Sequence, residues 1–127
     1  MSNNNPWQQL TRRAEPAVDV VLDTLPEVLS DMARHVPVVF EPKPSAAMVQ
    51  DGIAPDTLGL FVGMSYAELD SGGQDLPAQI FLFLENIWFY AGGDPLLFRD
   101  EVRKTFVHEL GHYLGMDEDD LFERGLE

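Results

Sequence analysis

The chain has no cysteine, only three histidines, and 8 basic residues against 22 acidic ones in 127 positions. Without cysteine there can be no disulfide framework and no thiolate metal site, so a bound metal would have to be held by His, Asp or Glu. The shortage of Lys and Arg leaves a formal net charge of −14. A field of that sign repels phosphate backbones, which argues against nucleic-acid binding, while it attracts metal cations and basic peptides. Long hydrophobic runs are also missing. The longest, near Ile80–Leu84 and Ile87–Ala91, fall far short of the roughly 20 apolar residues that cross a bilayer, so no membrane partner is expected. The opening Met1-Ser2-Asn3-Asn4-Asn5-Pro6 lacks a basic stretch followed by an apolar one, which predicts no signal peptide and a cytoplasmic location. Repeats and low-complexity tracts are absent.

The chain does carry enough apolar surface for one core. Hydrophobic residues make up 45% of it, so the expectation is a single folded domain over residues 1–127, with residues 1–12 loosely ordered. Ala17, Val20, Val21, Leu25, Val28, Leu29 and Met32 recur at helical spacing, interrupted by Pro26. This predicts two short helices or one kinked helix over 14–34, with Thr24 and Glu27 spaced as a capping box. Val36–Phe40 is rich in β-branched residues and reads as a strand. Residues 43–56 read as loop, and Ser71-Gly72-Gly73 as a turn. Leu58–Gly63 reads as a strand whose glycines allow close packing or a bulge. The continuous apolar run Ile80–Leu84 predicts a strand buried on both faces. Asn86–Tyr90 reads as a helical turn. Asp94-Pro95 starts a helix of about 20 residues, with Asp as cap and Pro in the first turn, that runs to Gly115. A short last helix is expected over 117–124. The order of elements predicts an α+β fold in which a small mixed sheet packs on the long helix, with further helices from the N-terminal region.

The chemistry concentrates on that long helix. His108-Glu109-Leu110-Gly111-His112 places two imidazoles four residues apart, on one face and one turn apart, where both can reach one ion. Glu109 is rotated about 100° from His108, so it flanks such an ion without having to bind it. In sites of this kind the carboxylate takes a proton from a water that the metal activates. Gly115 permits a sharp helix stop, after which Asp117 and Glu118 follow at once. Either acid can supply a third ligand. Glu118 lies six residues beyond His112, the third-ligand spacing of zinc hydrolases with an extended form of the motif, and is favoured over Asp117. His35 is a lone histidine at a helix end, suited to the helix dipole rather than to a metal. Tyr113 is expected to point away from the site, and Met116 to pack. The run Asp117-Glu118-Asp119-Asp120 lacks the glycine and spacing of a calcium loop.

The stretch from Thr105 to Leu121, TFVHELGHYLGMDEDDL, resembles the small bacterial zincin-like metallopeptidases. Leu58–Gly63 and Ile80–Leu84 are similar to that family's two upstream strand motifs. The resemblance spans about residues 15–127. It implies a minimal zincin fold, one zinc ion per chain held by His108, His112 and Glu118, and Glu109 as general base in peptide-bond hydrolysis. Only nine residues follow Glu118, so neither the Met-turn nor the downstream specificity subdomain of the larger relatives is expected. An edge strand above the helix, Leu58–Gly63 or Ile80–Leu84, would hold an extended peptide by backbone pairing. The expected partner is therefore a peptide or protein substrate, with the acidic surface favouring a basic one. A non-catalytic, metal-stabilised interaction domain is the rival expectation, and hydrolysis of a non-peptide amide a third.

Overall fold

The computed structural model describes residues 5–63 and 77–116. Within these, five helices and three strands follow one another: α1 (Pro6–Thr24), α2 (Glu27–Ala33), β1 (Val38–Glu41), α3 (Ala46–Gln50), β2 (Gly59–Val62), β3 (Gln79–Phe83), α4 (Leu84–Tyr90) and α5 (Pro95–Leu114). The architecture is α+β, with a small mixed sheet against the long C-terminal helix.

Helix α1 begins earlier than its apolar stripe suggests. The Asn5 side chain accepts from the backbone N–H groups of Trp7 and Gln8 at 2.8 and 3.2 Å, and Pro6 occupies the first turn. These are the local signals of a helix start, so the stretch expected to be loosely ordered is helical from Pro6 onward. Its buried face is Leu10, Ala14, Val18 and Val21, a spacing of three and four residues that turns one stripe to the core. The helix ends because Pro26 forces the residue before it into extended backbone, and Leu25 has φ −66° and ψ 149°. Thr24 does not cap the next helix, contrary to the capping-box expectation. Its hydroxyl turns back to donate to the Val20 carbonyl at 2.6 Å. Pro26 holds the cap position of α2 with no side-chain hydrogen bond.

The segment expected to be loop holds α3, one short helix capped by Ser45, whose hydroxyl accepts from the Met48 N–H at 3.1 Å. The sheet order is β1-β3-β2, with β1 parallel and β2 antiparallel to the central β3. In register, Gly59 pairs with Leu82, Leu60 with Phe81 and Phe61 with Ile80. Paired residues project to the same side, so Gly59, Phe61, Ile80 and Leu82 form one face. Ile80 and Leu82 are fully buried. On the opposite face Phe81 is half-buried and stacks on Phe83 at 6.1 Å between ring centroids. The expectation of a strand covered on both faces therefore holds for Phe83 and not for Phe81.

Helix α5 is the spine of the molecule. Its first turn is capped by Asp94, whose carboxylate accepts from the N–H groups of Leu96 and Leu97 at 2.9 and 3.1 Å. Its last turn closes at Gly115 in left-handed backbone, φ 73°, while the Met116 N–H donates to the Gly111 carbonyl at 2.8 Å. Both ends form as the sequence predicts. Phe98, Val102, Phe106 and Leu110 are fully buried along its inner side. Burying side chains of this size contributes about 1.5–3 kcal/mol each, which fixes the helix firmly against the sheet. Trp88 of α4 meets Phe98 edge-on at 5.4 Å. The Asn86 amide donates to the Pro55 and Thr57 carbonyls at 2.8 and 2.9 Å. This ties α4 to the turn that feeds β2 and so helps to set where β2 lies.

Candidate metal centre

Three residues of the motif, His108, Glu109 and His112, sit in the last two turns of α5. The imidazoles of His108 and His112 are both exposed, with ring centroids 5.0 Å apart and ring planes at 89° to each other. Two imidazoles on one helix face, one turn apart, form a donor pair that suits zinc, which accepts nitrogen and oxygen ligands. Among the described residues no cluster of three or more His, Asp or Glu side chains is close enough to enclose a metal. Asp117 and Glu118, the candidates for third ligand, lie outside the described residues, as do the expected helix over 117–124 and the Ser71-Gly72-Gly73 turn.

Glu109 differs sharply from its two neighbours. It points inward and is only 7% exposed. Burial pushes its carboxyl above the usual glutamate range, opposed by the positive charge that His108 and His112 can carry and by a hydrogen bond from the Phe61 backbone N–H. A carboxylate with a raised pKa, anchored by one donor, is suited to accept and return a proton.

The Phe61 amide belongs to strand β2, and its reach to Glu109 depends on how closely that strand lies on α5. The Phe83 N–H donates to the Leu58 carbonyl at 2.9 Å. In the antiparallel register this puts Leu58, Leu60 and Val62 in hydrogen bonds with β3, while Gly59 and Phe61 direct their backbone groups to the outer edge. Gly59 faces α5 at very short range. A Cβ built there would lie 2.6 Å from the Thr105 methyl carbon and 3.2 Å from Glu109 Cγ. One residue pair further along, the Phe61 ring packs on Tyr113 at 5.9 Å. Thr105, Glu109 and Tyr113 thus line up under β2. Tyr113 is buried in this contact.

An open cleft of about 270 Å³ lies between strand and helix, lined by Leu58, Gly59, Lys104, Thr105, His108 and Glu109. The sequence motif accounts for two of these. Gly59 and the Phe61 amide are functional neighbours that the motif does not announce. Their signal in the sequence is a glycine inside an otherwise apolar strand, which marks close backbone approach without naming what approaches. His35 is far from this chemistry in role: its ring nitrogen sits 2.8 Å from the Asp31 carbonyl at the end of α2.

The model of the zincin-like metallopeptidase family matches residues 33–126, about three quarters of the chain, and the chain belongs to that family. The match takes in the whole sheet and all of α5, and leaves α1 outside. Family membership carries with it the general association with zinc and with peptide hydrolysis. No curated protein matches the chain. No helix among the described residues is long and apolar enough to cross a membrane.

Proposed function

We propose that this protein is a zinc-dependent peptidase in which His108, His112 and Glu118 hold the metal and Glu109 is the general base. The observation that carries the reading is the division of labour on α5. Two exposed imidazoles stand one turn apart, while the carboxylate between them in sequence is buried against strand β2 beside the cleft that His108 also lines. Bound at the histidines, zinc supplies Lewis acidity, which polarises a carbonyl and makes water acidic near neutral pH.

The chain's own residues do the rest. The Phe61 N–H holds one orientation of the Glu109 carboxylate. Desolvation raises its basicity, so Glu109 accepts the proton of the attacking water and returns it to the leaving amine nitrogen. The outer edge of β2 presents the backbone groups of Gly59 and the carbonyl of Phe61 to an extended peptide, which can add as a further strand. A peptide laid there runs above Thr105 and Glu109, which brings its backbone to the proton acceptor.

Metal analysis and hydrolysis assays on three proteins test this. Wild type is expected to hold one zinc per chain and to cut a broad peptide library. His108→Ala is expected to lose the metal. Glu109→Gln is expected to keep the metal and lose at least about 100-fold in rate, the usual contribution of a general base. If wild type and Glu109→Gln treated the library identically, the peptidase reading would fail and a metal-stabilised binding domain would replace it.

A further inference from the structure

The lining of the cleft carries information on substrate that the motif does not. Among the described residues that line it, Lys104 bears the only fixed positive charge, in a chain that has 8 basic and 22 acidic residues. Lys104 precedes His108 by four residues on the same helix. It therefore stands one turn, about 6 Å along the axis, from the first histidine. An extended peptide advances about 3.3 Å per residue. A group one or two residues from a bond held at His108 and Glu109 would thus come within reach of the lysine's four-carbon arm.

The surroundings of the ammonium leave it available. It lies 3.3 Å from an Asp100 oxygen and 3.8 Å from a Glu101 oxygen, and the lysine side chain is 58% exposed. Asp100 is shared, since Arg103 also binds it at 2.9 Å. Exposed pairs of this kind are screened by water and contribute little, so exchanging one carboxylate partner for another costs little. Among the described residues that line the cleft, Glu109 is the only acid, and it is buried and already engaged by the Phe61 amide.

Building on the peptidase reading, we propose that Lys104 is a specificity residue: it selects peptides that carry a carboxylate one or two residues from the scissile bond. The carboxylate can be an acidic side chain or the substrate's own C-terminus, since the lysine recognises the same group in either. The protein's net charge of −14 favours basic peptides at long range. At physiological salt, however, charges beyond about 8 Å are screened, and within the cleft the adjacent lysine decides.

The test uses one peptide framework with Glu, Gln or Lys beside the cleavable bond, each with a free or an amidated C-terminus. Hydrolysis is followed with the zinc-loaded wild type. Binding is measured by fluorescence anisotropy on the zinc-loaded full chain carrying Glu109→Gln. The Glu peptide is expected to bind and react about threefold to fivefold better than the Gln peptide, the range of a partly exposed ion pair. That gap is expected to close in about 0.5 M salt. Lys104→Glu is expected to reverse the order in favour of the Lys peptide, and Lys104→Met, which keeps the apolar stem, to abolish it. A preference for free over amidated ends identifies the terminal carboxylate as the group read. If peptides are cut with no charge preference, or with one that survives Lys104→Glu, the proposal is overturned and the peptidase reading stands. If no peptide is bound or cut, both are overturned.

Discussion

Gly59 and Thr105 meet as closely as a residue without a side chain allows: a Cβ on Gly59 would lie 2.6 Å from the Thr105 methyl carbon. Strand β2 rests on helix α5 at this point, and the same contact brings the Phe61 amide to Glu109. Gly59→Ala is therefore expected to destabilise the protein by about 1–3 kcal/mol, as overpacking does. It should also lower activity by shifting β2 away from Glu109. Thr105→Ser removes the clashing methyl, so the double variant should recover much of the loss. Denaturant unfolding of the two single variants and the double variant decides this. Equal losses in the single Gly59→Ala and the double variant would show that Thr105 is not what Gly59 makes room for.

Glu109 carries a cost that its proposed role explains. Its carboxylate is buried with the Phe61 N–H as donor, and desolvation disfavours its ionised form. Glutamine has nearly the same shape and keeps an oxygen to accept from Phe61. The metal-free Glu109→Gln chain is therefore expected to melt at a higher temperature than metal-free wild type at pH 7, while losing hydrolysis when zinc is supplied. Differential scanning calorimetry after exhaustive chelation gives the comparison. A lower melting temperature for the variant would mean that the carboxylate is stabilised by more than this one donor.

The stop at Gly115 depends on left-handed backbone, φ 73°. Gly115→Ala is expected to cost about 1 kcal/mol, and Gly115→Asn less, because asparagine tolerates that conformation better than alanine. Zinc affinity offers a second readout. If the residues after Gly115 supply the third ligand, the alanine variant should also bind zinc more weakly than its loss of stability alone predicts. Parallel zinc titration and chemical unfolding separate the two effects.

Asp100 sets the pH dependence of the outer face of α5. Hydrogen bonding from Arg103, then from Lys104, holds its carboxyl below the usual aspartate range. An acid with a lowered folded-state pKa contributes stability that is present above its unfolded value and is lost as the pH falls through the folded one. The stability difference between wild type and Asp100→Asn should therefore be present at pH 6 and vanish in strong acid. Because the group is exposed, the difference should stay below about 1 kcal/mol and shrink in high salt. Urea unfolding across that pH range at two salt concentrations measures it.

The features legible in the sequence are those set by neighbours along the chain. Asp94-Pro95 and Gly115 bound α5 because caps act through hydrogen bonds within one turn. His108 and His112 share a face because helix periodicity alone puts them there. Asn5-Pro6 carries the same start signal as Asp94-Pro95, but Gln8, Gln9, Arg12 and Arg13 dilute the apolar stripe that follows. Leu10 and Ala14 gain their place in the core only through packing on other elements. Thr24 departs from its local pattern. Its spacing to Glu27 fits a capping box, yet its hydroxyl finds the Val20 carbonyl first.

What the amino-acid sequence determined by itself is the helix, its two ends and the pair of imidazoles, because each depends on interactions three or four residues apart. What only the tertiary structure decided is the setting of Glu109: its burial, its bond from Phe61 and the bare glycine at 59 that lets strand and helix close on each other. Gly59 and Glu109 are fifty residues apart in the chain. No local pattern couples them, and only the packing of β2 across α5 turns an ordinary glutamate into a buried carboxyl group next to His108 in the chain.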